Sequence, residues 1–570
     1  ALPAPERQRP TLERAYVAPR TAEEETLIDI WSQVLGIEQV GVHDNFFELG
    51  GDSILSIQVI ARANQAGLKV TPKQFFEYPT VAELALAAVK GHAVSAEQGL
   101  VKGPVPLTPI QRWFFDQALP HPDHWNQSLL LAMTEPLAPA ILEEAVQQLL
   151  AHHDILRARF TSGPDGWQQR IVGPADDPPF VHVDLSATAP ADQAEAVEAS
   201  AAEAQTNLDL SAGPLMRVVH YDLGPDRPGR LLIVVHHLVM DGVSWPILLE
   251  DLLSIYQQLK QGAPVQLPPK TTSFKQWAKR IHAYAQTPEI QDQLAYWRSI
   301  TEPDGEQLPV DFDDGKNTEG STDRVTVTLD IEETQALLQD VPTAYHTEIN
   351  EVLLTALAVA LGQWTGRPSV LIDLESHGRE DLFDDVDISR TVGWFTALYP
   401  VRMTVDGDGL GEQLVNVKEE LRSIPQHGIG YGILRYLGAE DALNIQHQPA
   451  LSFNYLGQID RAVSTDLPVA PATESRGPER HPEGARSHLI EVDGGIAGGQ
   501  LQMEWTYSRN VHRQATIRSV AETFETTLRA LIAHCQSVET PQYSASDVEE
   551  FGWSSDDLDE ILTEIDDALR

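Results

Sequence analysis

Two histidines end an apolar run, Leu231-Leu232-Ile233-Val234-Val235-His236-His237, and Asp241-Gly242 follows after three residues. An imidazole exchanges protons near neutral pH, which few other side chains do unaided. His237 is the candidate base, and Asp241 can orient the turn through a hydrogen bond or salt bridge. The alternative is a pair of hydrogen-bonded structural histidines. A second apolar run, Val370-Leu371-Ile372-Asp373-Leu374, delivers Glu375. Burial there raises a carboxyl pKa toward a range useful for proton transfer, unless Glu375 is held in an ion pair with Arg379 or Arg390. The third group is the Ser53 hydroxyl, after Gly50-Gly51-Asp52 and at the start of a helical pattern. A helix start favours an attached phosphate through its N–H groups and dipole; the alternative is that Ser53 or Asp52 serves as an N-cap. His152-His153 lacks the three-residue gap and the glycine, and Arg157 and Arg159 nearby suggest a structural or surface role. No metal-ligand spacing is evident, and His236-His237 lacks the i, i+4 pairing of a helical zinc site.

These groups need elements to hold them. Leu231 to Val235 reads as a buried strand, and Pro246 opens a helix with Ile247, Leu248, Leu249, Leu252 and Leu253 at helical spacing. Strand, polar turn and helix therefore follow in order around His237. Residues 370–374 form an equivalent strand before Glu375, and residues 347–363 an apolar core helix. Around Ser53, Thr21-Ala22-Glu23-Glu24 and Thr80-Val81-Ala82-Glu83 are capping boxes. They bracket three or four short helices in about 75 residues, a small bundle. The last of these helices is expected to run to about Val89. Residues 187–206 have helical propensity, and residues 224–229 and 494–499 read as hairpin turns. Gly428, Gly430 and Gly432 are weak evidence for a phosphate loop, with no strand before and no Lys-Ser/Thr after.

The chain has 570 residues, which at roughly 100–200 per domain allows about three or four compact units. Hydrophobic content of 42% suffices for cores, and a net charge of −44 argues against nucleic acid or an anionic membrane as partner. The single cysteine, Cys535, cannot form an internal disulfide, so a reducing cytoplasmic setting is expected. No apolar run reaches membrane-spanning length.

Several stretches resemble known families. His-His-x-x-x-Asp-Gly, here His236 to Gly242, is similar to the signature of condensation and epimerization domains of nonribosomal peptide synthetases. The Val243-Ser244-Trp245 ending resembles the epimerization branch, although Pro246 stands where many members carry Arg. Phe46-Phe47-Glu48-Leu49-Gly50-Gly51-Asp52-Ser53-Ile54 resembles a peptidyl carrier domain, with Gly-Gly-Asp-Ser as in carriers that precede epimerization domains. Residues 106–114, Glu375 to Glu380, Arg390 to Thr396, Pro425 to Gly432 and Phe453 to Gln458 resemble further motifs of that branch; Ser376 replaces the family's Gly.

The resemblance implies a small four-helix carrier bundle followed by an α/β epimerization domain of two chloramphenicol-acetyltransferase-like lobes meeting at a cleft. The expected division is a linker from an upstream adenylation domain (1–20), the carrier (21–90), a linker (91–105), the epimerization domain (106–540, lobes dividing near 290) and an acidic docking helix or linker (541–570). Leu558, Ile561, Leu562, Ile565 and Leu569 make that tail's apolar stripe. Ser53 would bear 4′-phosphopantetheine, attached by a phosphopantetheinyl transferase. The implied reaction is inversion at the α-carbon of an aminoacyl or peptidyl thioester, with His237 and Glu375 as two bases from opposite lobes. His236 and Asp241 would support them, and Arg390, Asn454 and Tyr455 are candidate donors to the enolate oxygen. A downstream condensation domain or synthetase subunit would meet the tail. The alternatives are a condensation domain using the same His237, and an inactive carrier-binding scaffold.

Overall fold

The computed structural model describes residues 16–90, 96–175, 177–301, 308–405, 407, 409–438, 443, 448–458, 469–538 and 540–549. The carrier begins with α1 (Ala22–Leu35). The Thr21 hydroxyl caps it by accepting from the Glu24 N–H. Glu24 turns instead to Arg20, accepting from its backbone N–H and guanidinium at 2.6 Å each, so only half of the expected box forms. Next come α2 (Ser53–Gln65), β1 (Leu68–Lys69), α3 (Pro72–Glu77), α4 (Val81–Ala87) and β2 (Val89–Lys90). The last helix stops at Ala87, short of the expected end, because Val89 and Lys90 pair antiparallel with Lys69 and Leu68. Trp31, Phe46 and Phe75 are fully buried at the centre, with the Trp31 ring 5.0 Å and 5.9 Å from the other two. This core is separate from that of the remaining chain.

The first half of the larger unit contains β3 (Gly103–Val105), α5 (Pro109–Asp116), β4 (Asn126–Met133), α6 (Pro139–His152), β5 (Ala158–Gly163), β6 (Gly166–Ile171) and β7 (Phe180–Asp184). It continues through α7 (Gln193–Gln205), β8 (Met216–Asp222), β9 (Arg230–His236), α8 (Ser244–Lys260) and α9 (Phe274–Tyr284). Strand β9 is buried along its whole length. Its alternate residues serve two cores: Leu231, Ile233 and Val235 join the main one, while Leu232 and Val234 pack with Val197 and Ala201 of α7. A strand covered on both faces reads as a continuous apolar run, as this one does.

The second half comprises α10 (Pro288–Gln291), α11 (Leu294–Ile300), β10 (Thr322–Thr328), α12 (Ile331–Tyr345), α13 (Ile349–Thr365), β11 (Ser369–Ser376), β12 (Ala397–Thr404), α14 (Leu410–Arg422) and α15 (Ile429–Leu437). Then follow β13 (Leu451–Gln458), β14 (Val469–Pro471), β15 (Ile490–Ala497), β16 (Gln500–Ser508), α16 (Gln514–Gln536) and α17 (Ala545–Glu549). Its six strands lie in the order β10-β16-β15-β13-β11-β12, and β15, β13 and β11 are parallel. One face of this sheet is apolar, with Ile372, Phe453, Val492 and Trp505 buried. The other face carries Asp373, Glu375, Asn454, Glu491 and Asp493 at the alternate positions.

The halves are interwoven. Strand β14 crosses back to pair antiparallel with β4, so the first sheet runs β14-β4-β9-β8-β7. The hairpin expected at residues 494–499 is present, but β15 extends to Ala497 and the turn narrows to Gly498 and Gly499. Gly428, with φ +84°, precedes α15, and a Cβ there would lie 2.2 Å from the Tyr399 ring. Close packing accounts for that glycine. Near the chain end, Asp547 accepts from the buried Lys418 ammonium at 2.6 Å and from Arg422 at 2.8 Å, so this segment is held on α14. The expected apolar stripe of the tail, from Leu558 onward, lies outside the described residues.

Candidate functional site

Strand β9 ends on His236, and His237 opens a short 3-10 turn. His236 is fully buried and neutral, its pKa pushed down to about 3 by burial. Its Nε2–H donates to the Pro122 carbonyl at 2.8 Å, and its Nδ1 accepts from the Leu238 N–H at 3.1 Å. Both ring nitrogens are therefore committed, and His236 shapes the turn.

His237 differs. Its backbone N–H donates to the Trp125 carbonyl at 3.0 Å. Its ring lies 4.4 Å from the Trp394 ring and 5.8 Å from that of Trp125. The Gln127 side-chain oxygen accepts from the Trp245 indole N–H at 2.8 Å, which turns the Gln127 amide nitrogen toward His237 Nε2, 3.0 Å away. Nε2 thus presents a lone pair, and the ring proton belongs on Nδ1. Burial is the largest influence on His237 and lowers its pKa to about 4, so the ring is neutral at pH 7.

Asp241 links this turn to the Glu375 motif. Its carboxylate accepts from the Arg379 guanidinium at 3.1 and 3.2 Å, from the Ser244 hydroxyl at 2.6 Å and from the Phe395 N–H at 3.1 Å. Arg379 also donates to the carbonyls of Ile388 and Thr391. Gly378 makes the approach possible: its φ is +63°, and a Cβ there would stand 1.9 Å from the Phe395 carbonyl oxygen. Ser376, where the family has Gly, completes β11, and its hydroxyl is buried without a partner.

Glu375 lies near the end of β11, where Asn454 of β13 donates to its Oε2 at 3.3 Å. Burial pushes its carboxyl up to about 7; the nearby His488 and Arg480 oppose the rise, while Glu491 and Asp373 add to it. Arg379 and Arg390, the two expected partners for an ion pair, are bound elsewhere. Arg390 pairs with Glu250 at 2.7 Å and Asp251 at 2.6 Å on α8, so it ties the halves together and is not beside Glu375 as an oxyanion donor. Tyr455 pairs with Gly494 and turns to the opposite face of β13 from Asn454; its buried hydroxyl has no partner. His153 bonds Asp251 at 2.9 Å, a structural role.

Two residues had no motif to reveal them. Gln127 sits in a strand with no telling spacing. Arg480 stacks on Trp125 with its guanidinium carbon 5.2 Å from the ring and pairs with Glu319 at 2.9 Å. Its charge lowers the pKa of both His237 and Glu375. A cleft between the halves is lined by Trp113 and Trp277 from one side and by Asp373, Trp394 and Tyr431 from the other.

Ser53 opens α2, half-exposed. The Asp52 carboxylate caps the helix, accepting from Ile54 and Leu55 N–H at 3.0 and 2.8 Å. Those two groups are therefore not left for an attached phosphate, contrary to the expectation from the helix start. The carrier meets the larger unit here. Asp52 Oδ2 accepts from the Gln458 N–H at 3.2 Å, and the Gln458 side chain donates to the Gly50 carbonyl. Ser53 therefore follows the residue that meets the end of β13, and the orphaned Tyr455 hydroxyl senses the Asp52 charge. A half-exposed serine at this junction fits an arm that must leave the carrier and reach inward.

A helical carrier joined to a two-lobed α/β unit, with a half-buried histidine where the lobes meet, describes a class of proteins that handle carrier-bound acyl groups. Residues 101–550 match the condensation domain family and residues 25–87 the phosphopantetheine attachment site family. The chain belongs to the condensation-domain family of nonribosomal peptide synthetases, and its carrier takes a covalent 4′-phosphopantetheine. It is 50% identical over 552 residues to a linear gramicidin synthase polypeptide of Brevibacillus parabrevis, covering 96% of this chain and 11% of that protein. It is 38% identical over 567 residues to surfactin synthase subunit 1 of Bacillus subtilis (strain 168), covering 99% of this chain and 16% of that protein. The chain thus spans a small part of the curated relatives it matches. Among solved structures, the epimerization domain of the third module of tyrocidine synthetase B is 35% identical with a TM-score of 0.72, covering 78% of this chain and 99% of that one. The X-domain from teicoplanin biosynthesis shares the fold at 20% identity and a TM-score of 0.61, covering 77% of this chain and 97% of that one. Among the described residues, no helix is long and apolar enough to cross a membrane.

Proposed function

We propose that this chain inverts the α-carbon of an aminoacyl or peptidyl thioester held on Ser53. The observation that carries the reading is a second half-buried proton carrier, Glu375, on the lobe opposite His237. Peptide-bond formation calls on one base; inversion needs a proton taken from one face and returned on the other. Environments that push two titratable groups apart suit that division. At pH 7 His237 is neutral, with an Nε2 lone pair occupied by the Gln127 amide, and Glu375 is poised between its two forms.

The arm presents the acyl group as a thioester, whose carbonyl acidifies the α-proton. His237 Nε2 takes that proton once the substrate displaces the Gln127 amide. Glu375 returns one to the other face, and each group contributes about 10²–10⁴ in rate. In the reverse direction the two exchange roles. Asn454 holds the Glu375 carboxyl, and the Trp394 and Trp125 rings keep water from His237. The 35% identity to an epimerization domain, against 20% or less to three solved condensation domains of the same fold, supports the same reading. An upstream adenylation domain and a pantetheinyl transferase would load Ser53, and a downstream condensation domain would receive the product.

The test is to load the carrier with an L-aminoacyl or L-peptidyl pantetheine in deuterated water. Growth of the D-thioester with deuterium at the α-carbon is expected. Peptide-bond formation with an added acceptor and no inversion would establish the condensation reading. Absence of both activities from the loaded wild type would leave only a binding scaffold.

A further inference from the structure

A two-base inversion leaves the protein in a different state from the one that began it. After L-to-D conversion His237 holds a proton and Glu375 has lost one, so the next L-substrate must wait for both to be restored. The polar face of the second sheet supplies an arrangement for restoring Glu375. The β11–β13 register pairs Leu374 with Phe453, which sets Glu375 opposite Asn454. Asn454 pairs with Asp493 on β15, and Asp493 pairs with Glu504 on β16. Directly opposed residues share a face, with Cβ atoms about 4.5–5.5 Å apart. One register line therefore runs from Glu375, through Asn454 and Asp493, to Glu504, whose side chain is 39% exposed and pairs with the more exposed Arg324 at 3.4 Å.

We propose that Asp493 acts through Glu375, holding the proton that returns Glu375 to its starting state and drawing its own from solvent at Glu504. The step balances: an O–H bond breaks at Asp493 and one forms at Glu375, with water carrying the proton between them; the Asp493 carboxylate takes a proton from solvent, and the His237 imidazolium releases one to solvent. The electrostatics keep a proton on Asp493 at pH 7. Burial, then the charges of Glu491 and Glu375, push Asp493 up to about 8, with Arg480 opposing and Glu504 adding to the rise. Glu375 acts on Asp493, and the largest charges acting on Glu375 itself are His488, Glu491, Arg480 and Asp373. Two interacting carboxyls titrate as a pair. Asn454 donates to Glu375 and holds its orientation along the line.

The inference rests on the inversion reading, so its test has one arm that needs no catalysis. In the resting carrier-containing protein, carboxyl infrared absorption should show Glu375 and Asp493 both titrating above pH 6; Glu375→Gln and Asp493→Asn should each remove one of these. If Asp493→Asn leaves the spectrum unchanged, the shared proton is ruled out, whatever the protein catalyses. The second arm uses α-deuterated D-substrate in ordinary water, so that Glu375 takes the label and its release to solvent runs through Asp493. In the wild type, label is lost at nearly every inversion. In Asp493→Asn a stalled reset should lower label loss per inversion roughly tenfold, and Asp493→Glu should restore it. Inversion and label loss falling together, with no recovery in Asp493→Glu, would show a structural role and overturn the proposal. A shared titration without inversion in the wild type would instead refute the inversion reading.

Discussion

His237 and Glu375 respond to burial in opposite senses. Burial holds the imidazole neutral down to about pH 4 and keeps the carboxyl protonated up to about pH 7. In the proposed inversion the pair carries one shared proton, on Glu375 before removal from the L-substrate and on His237 before removal from the D-substrate. These two forms are tautomers with the same pH dependence. Both directions of inversion should therefore follow one bell, with limbs near pH 4 and pH 7. Initial rates from pure L- and pure D-thioester across pH 4–9 check this, and a flat profile between pH 6 and 9 would contradict it. His237→Ala and Glu375→Gln should each slow inversion by about 10²–10⁴ with unchanged circular dichroism. Chiral analysis of the released acyl group reads the rate.

The two elements that bear His237 and Glu375 are joined by a contact far smaller than either. Asp241 follows the β9 turn and Arg379 follows β11, and their buried pair sets the histidine turn against the glutamate strand. Removing one member of a buried pair strands the other and costs about 3–5 kcal/mol. Arg379→Met should lower the melting temperature and the inversion rate together. The double variant with Asp241→Asn should recover part of the stability, since it leaves no buried charge unpaired. Calorimetry of the single and double variants measures the recovery. The strands that deliver His237 and Glu375 were legible because each is an apolar run ending in an ionisable residue. The carrier helices were legible from their caps. The positions of Gln127, Arg480 and Asp493 were not, because their roles arise from cross-strand register and from a crossing segment, which local spacing does not encode. The partners of Arg390 were hidden for a related reason. Its motif was plain, but Glu250 and Asp251, which hold it, lie about 140 positions away in sequence.

At the scale of the molecule, the carrier core and the main core are separate. Trp31→Ala should cost the carrier about 3–5 kcal/mol, enough to unfold a unit this small. Pantetheinylation of Ser53 should fall while the main thermal transition stays in place. The opposite end is less separable. Because Asp547 neutralises the buried Lys418, a chain stopped after Glu549 should keep full inversion, whereas Asp547→Asn should lower the main transition. Differential scanning calorimetry with the inversion assay distinguishes the two. The crossing strand β14 bears on how such a chain is made. β4 waits for a neighbour that leaves the ribosome more than three hundred residues later. At about 5–20 residues per second this is roughly 15–70 s of synthesis. Throughout that interval the nascent first lobe exposes one row of unpaired backbone groups, an invitation to pair with another chain. In an assembly line many modules long, the same vulnerable interval would recur at every domain of this kind, and crowding of ribosomes on one message would set nascent copies side by side while it lasts.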